Sequence, residues 1–237
     1  MAVQRLDKIL SDLGVASRRE LKDLIKSGRV RVGGAAVRDP GMKLDPASAE
    51  ITLDGEALRY RRSVTFLMDK PAGVVTATED GEQRTVVDLL PPELRRLGLF
   101  PVGRLDKDTT GLLLLTNDGD LAHRVISPKS EVKKRYAARV DGIADEEDAR
   151  AFREGITLRD GTRCLPAELE ITGTELCFVT LREGKYHQVK RMLASRGKPV
   201  RELRRVAVGG LKLEGEARPG ALRELDEEDL CTLFMDT

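Results

Sequence analysis

Tryptophan is absent from this 237-residue chain, and aromatic residues make up only 3% of it. A core must therefore be built from Leu, Val, Ile and Ala, and the aromatic platforms on which sugars usually stack are scarce. There are three cysteines and two histidines. Cys164, Cys177 and Cys231 lie far apart, with no CxxC and no nearby His pair, so neither a zinc site nor a disulfide framework is expected. Reduced thiols and a cytoplasmic location are the default. No apolar run approaches membrane-spanning length, and no signal peptide is visible. There is no GxxxxGK[ST] loop, no GxGxxG after a strand, no HExxH and no GxSxG. Phosphoryl transfer, hydride transfer and thiol chemistry thus lack their usual parts, and no cofactor or metal is expected.

Charge is abundant but balanced, with 34% charged residues and a net charge of +1. Its distribution is uneven. Residues 1–40 hold nine Lys/Arg against five Asp/Glu, residues 181–212 hold ten against two, and residues 213–237 hold two against eight. Local basic faces, not the net charge, make a phosphate-binding footprint.

The length suits a small module joined to a medium domain. Leu6, Ile9, Leu10 and Leu13 mark one helix face, ended by Gly14. Ser17-Arg18-Arg19-Glu20 has capping-box spacing and opens a second helix with Leu21, Leu24 and Ile25 inward, closed by Gly28. Short strands follow around Arg29–Val32, Val37 and Ile51–Leu53. Arg18, Arg19, Lys22, Lys26 and Arg29 gather on and just after the second helix. Lys22 and Lys26 are i, i+4 neighbours and repel unless an anion lies between them. That face is either an ordinary solvated surface or a contact for RNA phosphates.

Tyr60-Arg61-Arg62-Ser63 is the expected boundary, giving units 1–60 and 64–237. Beyond it, strands are expected at Val64–Met68, Val74–Thr76, Leu112–Leu115, Arg135–Val140, Ala167–Ile171 and Leu176–Leu181. Helices are expected at Val86–Leu90, Asp120–Ile126, Glu146–Gly155 and His187–Ser195. Strands and helices mix without a steady βαβ rhythm, which favours an α+β fold.

The most informative stretch is Gly103-Arg104-Leu105-Asp106-Lys107-Asp108-Thr109-Thr110-Gly111-Leu112-Leu113-Leu114-Leu115-Thr116-Asn117-Asp118-Gly119. It crowds charge into a loop and then enters a buried strand, which holds a carboxylate at the edge of a rigid sheet. Asp106 and Asp108, two residues apart, would share a side in extended chain. A paired-carboxylate glycosidase or a metal site is one reading. The other is that one aspartate is functional while Asp108, with Thr109 and Thr110, satisfies the loop's own amides. Nothing else in the chain completes a hard-cation cage, so the second is preferred.

This stretch resembles the defining motif of the RsuA-type ribosomal RNA pseudouridine synthases. Lys134-Arg135-Tyr136 resembles that family's K-x-Y segment, and Glu183-Gly184-Lys185-Tyr186-His187-Gln188-Val189-Lys190-Arg191-Met192 its third motif. Residues 1–60 are similar to the S4 RNA-binding module that precedes many members. The resemblance spans nearly the whole chain. It implies an S4-like α/β module followed by a catalytic domain on a mainly antiparallel mixed sheet with flanking helices.

The activity implied is isomerisation of uridine to pseudouridine within RNA, without cofactor, metal or energy source. Asp106 matches the essential carboxylate, as nucleophile or as base. Lys190 matches its basic partner, with Arg191 the second choice. Tyr136 matches the aromatic that stacks on the target base, Val189 lines the uracil pocket, and Arg104 fills the gap left by a flipped nucleotide or grips a phosphate. His187 is read as a structural hydrogen bonder. Arg5, Arg18, Arg19, Lys22, Lys26 and Arg29 would contact RNA. The His187–Met192 form resembles the small-subunit branch, so 16S rRNA is the expected partner, bound by a monomer. The alternatives are the same reaction on 23S rRNA, or a non-catalytic rRNA-binding assembly protein.

Overall fold

The computed structural model describes residues 3–46, 48–58, 63–127, 130–213 and 218–235, the side chain of Arg18 excepted. The chain divides into two compact units, one of Met1–Val64 with Leu89–Leu99, the other of Thr65–Asp88 with Phe100–Thr237. Of the Tyr60–Ser63 boundary, residues 60–62 lie outside the described residues. Among the described residues, no helix is long and apolar enough to cross a membrane.

In the first unit β1 (Gln4–Arg5) leads into α1 (Leu6–Asp12) and α2 (Arg18–Lys26). Then come β2 (Val30–Val32), β3 (Ala35–Ala36), β4 (Lys43–Leu44), β5 (Ile51–Leu53) and β6 (Glu56–Leu58). The capping box forms as its spacing demands: Ser17 Oγ accepts from the Glu20 amide, and Glu20 accepts from the Ser17 amide at 2.8 Å. Leu6, Ile9, Leu10, Leu21 and Ile25 pack with Val30, Leu44 and Ile51 into one core. Strands β3-β2-β5-β6 make an antiparallel sheet, and β1 pairs with β4. Leu89–Leu99, with α3 (Pro92–Arg95), groups here although the 64–237 boundary assigned it to the second unit. Its Glu93 carbonyl and Leu97 side chain lie against Gly14, where a Cβ would meet the carbonyl at 3.0 Å.

The second unit is built on one nine-stranded sheet. Its elements are β7 (Thr65–Lys70), β8 (Phe100–Val102), β9 (Thr110–Thr116), α4 (Gly119–Ile126), β10 (Lys134–Val140) and α5 (Glu146–Glu154). They continue with β11 (Glu168–Ile171), β12 (Leu176–Leu181), α6 (Gln188–Ser195), β13 (Val200–Val208), β14 (Leu211–Lys212), β15 (Leu222–Glu224) and α7 (Glu227–Thr232). The strand order is β11-β12-β10-β13-β9-β7-β15, with β14 on β13 and β8 on β9. Every pairing is antiparallel except β9 with β13. The α+β expectation holds.

Strand β9 lies near the middle of the sheet, and its run of four leucines is buried on both faces. Leu112 and Leu114 enter a core with Leu67, Val102, Leu121, Val125 and Val208. A strand covered on both sides reads as a continuous apolar run rather than an alternating one. Gly111, in the left-handed region at φ +102°, admits the close approach of β13: a Cβ there would lie 2.2 Å from the Arg205 carbonyl oxygen. Two local expectations change. Val74–Thr76 forms only a single bridge, Val75 with Thr85, and Val86–Leu90 shortens to a 3₁₀ turn at Val87–Leu89.

Candidate active site

The loop between β8 and β9 carries Asp106 to the sheet edge, and it is clasped from outside. Lys70, at the end of β7, is fully buried and donates to the carbonyl oxygens of Pro71 at 3.0 Å, Lys107 at 3.3 Å and Thr109 at 2.9 Å. Thr76 Oγ1 donates to the Leu105 carbonyl at 2.7 Å and accepts from the Leu105 amide at 3.2 Å. The Gly73 amide donates to Lys107. The loop's own side chains do less than expected. Thr109 Oγ1 is buried without a hydrogen-bond partner among the described residues, and Asp108, which does accept from its own backbone amide, also turns towards a cation.

That cation is Lys190 on α6. Its Nζ lies 3.1 Å from Asp106 Oδ2 and 2.6 Å from Asp108 Oδ1, so one ammonium serves both carboxylates. Burial alone would lower the Lys190 pKa, but its hydrogen bonds and charge attraction with Asp108 and Asp106 outweigh that and raise it. The hydrogen bond from Lys190 holds the Asp108 carboxyl below its ordinary value against partial burial.

His187, which caps α6, takes a left-handed conformation at φ +47°. Its Nε2 lies 3.4 Å from Asp106 Oδ1 and its ring stacks on Tyr186, with centroids 3.8 Å apart. The loop before α6 is braced by Glu183, which accepts from the Leu165 amide and from Gln188 and pairs with Lys185 at 2.9 Å. Gln188 in turn accepts from the Lys185 amide. The third motif is thus largely a scaffold that aims His187 and Lys190 at Asp106.

Two hollows meet at Asp106. A small pocket of about 70 Å³ is lined by Arg104, Asp106, Thr109, Tyr136, Val189 and Leu203 among others. A cleft of about 800 Å³ shares Arg104, Asp106 and Tyr136 and extends past Phe100, Lys134, Tyr186 and Arg205. Tyr136 is buried on β10 opposite Arg205 of β13. Burial, with the charge of Arg205 adding to it, pushes the Lys134 ammonium down to about 8. Arg104 is exposed at the mouth, and Val189 is buried. Arg191 does not join this group: it pairs with Asp160 and donates to the Tyr186 carbonyl. Among the described residues, no three His, Cys, Asp or Glu side chains converge as a metal site would.

In the first unit Arg5, Asp7, Lys8, Arg19 and Lys22 surround one groove of about 540 Å³, and Arg5 pairs with Asp7 at 2.7 Å. Lys26 is exposed away from the groove lining, and Arg29 is held by Asp54 through Nε at 2.8 Å and through Nη2. Arg18 opens α2, and its side chain lies outside the described residues. Sequence reasoning missed Lys8, Lys70, Tyr186 and the closeness of His187 to Asp106. The one available signal for Lys70 was its Lys-Pro-x-Gly turn.

The fold and site define an RNA-modifying enzyme with an appended RNA-binding module. Residues 64–195 match the RNA pseudouridylate synthase family, residues 4–51 match the S4 domain, and the chain belongs to the RNA pseudouridine synthases. It is 44% identical to the RNA pseudouridine synthase YtzG of Bacillus subtilis, over 97% of this chain and 98% of that one. It is 41% identical to ribosomal small subunit pseudouridine synthase A of Vibrio cholerae, over 97% and 99%. Against ribosomal large subunit pseudouridine synthase B of Bacillus subtilis the identity is 38%, over 98% and 96%. A crystal structure of a pseudouridylate synthase superimposes with a TM-score of 0.69 at 32% identity, covering 97% of this chain and 99% of the other.

Proposed function

We propose that this enzyme converts one uridine of ribosomal RNA, in the 16S molecule, to pseudouridine, acting as a cytoplasmic monomer with Asp106 as the essential carboxylate. The observation that carries the reading is the placement of Asp106, held at 3.1 Å by Lys190 where a small pocket opens beside Tyr136. In the reaction the bond between C1′ and N1 breaks, the uracil turns, and C5 bonds to C1′. The proton on C5 leaves and N1 gains one, so nothing is oxidised or reduced. A carboxylate beside the ribose has two roles open to it, attack on carbon or removal of a proton, and Lys190 Nζ at 3.1 Å orients it for either. The Tyr136 ring beside it offers a face for the flipped base.

The choice of small-subunit RNA rests on the His187–Met192 form of the third motif, which resembles that branch. Relatives of both branches match at similar identity, so overall similarity does not separate them. Incubating wild-type and Asp106→Asn proteins with 16S and 23S transcripts, followed by pseudouridine mapping, tests both parts. One modified uridine in 16S, absent with Asp106→Asn, is expected. Modification confined to 23S overturns the branch, and an active Asp106→Asn overturns the site.

A further inference from the structure

We propose that the cleft beside Asp106 binds a second nucleotide, the one flanking the target uridine, with its base stacked on Tyr186. This rests on Asp106 being the reacting carboxylate. Tyr186 is 68% exposed, whereas Tyr136 at the same site is buried and Phe100, further along the cleft, is half-buried. Tyr186 is nevertheless not a loose surface ring. It stacks on His187 with an interplanar angle of 19°, and His187 Nε2 lies 3.4 Å from Asp106 Oδ1. His187 holds that position through a left-handed backbone that a non-glycine residue rarely adopts. The Tyr186 ring is therefore fixed relative to the reacting group, with His187 against one face and most of its surface still open to a ligand.

Space favours the same conclusion. The cleft of about 800 Å³ that Tyr186 helps to line lies towards the upper end of the roughly 300–1,000 Å³ typical of whole ligands. A single pyrimidine ring fills only part of it, so the cleft, continuous at Asp106 with the small pocket beside Tyr136 and Val189, has room for a second base. The physics of base flipping supplies the need. Extruding one nucleotide costs its neighbour a stacking partner as well. An aromatic ring fixed beside the reacting carboxylate restores that partner, and stacking on aromatic side chains is how unpaired bases are commonly held. A two-ring stack of His187 and Tyr186 would thus be extended by the flanking base.

The test uses the full-length protein and short single-stranded RNA oligonucleotides carrying one uridine, with 2-aminopurine on its 5′ or its 3′ side. Wild-type protein should quench one of the two probes as it binds. Tyr186→Phe keeps the ring and should keep the quench. Tyr186→Ala should abolish it and weaken binding by roughly 5- to 150-fold. Binding without a quench at either placement, absence of saturable binding, a quench retained by Tyr186→Ala, or a Tyr186→Phe as impaired as Tyr186→Ala overturns the proposal. If the quench behaves as expected while no ribosomal uridine is converted, the stacking site stands and the assigned reaction falls.

Discussion

The ammonium of Lys70 lies 2.9 Å from the carbonyl oxygen of Thr109, inside the sheet and out of contact with water. With its bonds to the Pro71 and Lys107 carbonyls, this one side chain ties the end of β7 to the loop that bears Asp106. Lys70→Met has similar length and no donors, and it takes this partner from the buried Thr109 carbonyl, whereas the Lys107 carbonyl keeps the Gly73 amide. Such a loss costs on the order of 1–3 kcal/mol. Urea unfolding at pH 7.5 should show a loss in that range or above, and turnover should fall with it as the loop loosens. A variant of wild-type stability and activity would show that the loop is held by its other bonds.

Lys70 also gives a sign for the pH dependence. Burial is the main cause that lowers its pKa from 10.5 to about 8, against the pull of Asp108 and Asp106. The folded state therefore binds fewer protons than the unfolded chain between pH 8 and 10.5. Stability contributed through this group rises with pH across that window. The limit is about 1.4 kcal/mol per pH unit for one proton. Comparing wild type with Lys70→Met by urea unfolding at pH 8 and pH 10 isolates the effect: the stability advantage of wild type should widen. A gap that narrows would contradict a depressed pKa at Lys70.

The two aspartates on Lys190 should separate sharply. Asp108 is 76% exposed at its side chain, and exposed ion pairs are worth about 0–1 kcal/mol, so Asp108→Asn should reduce kcat by no more than roughly fivefold. Asp106→Asn should reduce it by on the order of 10²–10⁴-fold or more while RNA affinity stays near wild type. Lys190→Met removes the cation from both and should fall between these limits. Single-turnover pseudouridine formation measures all three. Equal losses at Asp106 and Asp108 would restore the paired-carboxylate alternative.

Gly111 is a geometric rather than a chemical requirement of the same motif. A methyl group there would meet the Arg205 carbonyl at 2.2 Å and the Arg205 amide at 2.8 Å, both backbone atoms of the paired strand. Neither can move without breaking the parallel β9–β13 contact. Gly111→Ala should cost about 3 kcal/mol or more. Thermal unfolding of the variant checks this, and a shift below one or two degrees would mean that the strands part easily.

What was legible in the sequence follows from which physics is local. The Ser17–Glu20 cap, the α1 and α2 faces and the buried run of β9 depend on spacing within a few residues, and all of them form. Strands are expected between Ser195 and the acidic tail, but without the bounds of β13, and no helix is expected at α7. The alternation of β13 is obscured by Arg201, Arg204 and Arg205, and Arg205 is buried because its Nε donates to the Leu112 carbonyl of the neighbouring strand. The burial of Lys70 is hidden from local sequence for the same reason. A lysine in a turn reads as exposed, and only the distant carbonyls of Lys107 and Thr109 make its burial tolerable. Motif resemblance linked Lys190 to Asp106, but that it also serves Asp108 depends on a fold that spacing does not encode.

The basic face of the first unit divides into two kinds of arginine. Arg19 and Lys22 line one groove with Lys8 and the Arg5–Asp7 pair, whereas Arg29 is bound to Asp54 and already neutralised. Ions released from RNA scale with the phosphates contacted, at a slope of about 0.7–0.9 in log–log salt dependence for each contact. The double variant Arg19→Gln, Lys22→Gln should therefore lower the salt slope of rRNA binding by roughly 1.4–1.8 and weaken affinity at low salt. Arg29→Gln should leave the slope within error of wild type, because the displaced cation is Asp54's partner rather than the RNA's. Filter binding between 50 and 300 mM KCl measures both. A reversed ranking would place the RNA on the face formed by Arg29 and Asp54, away from the groove.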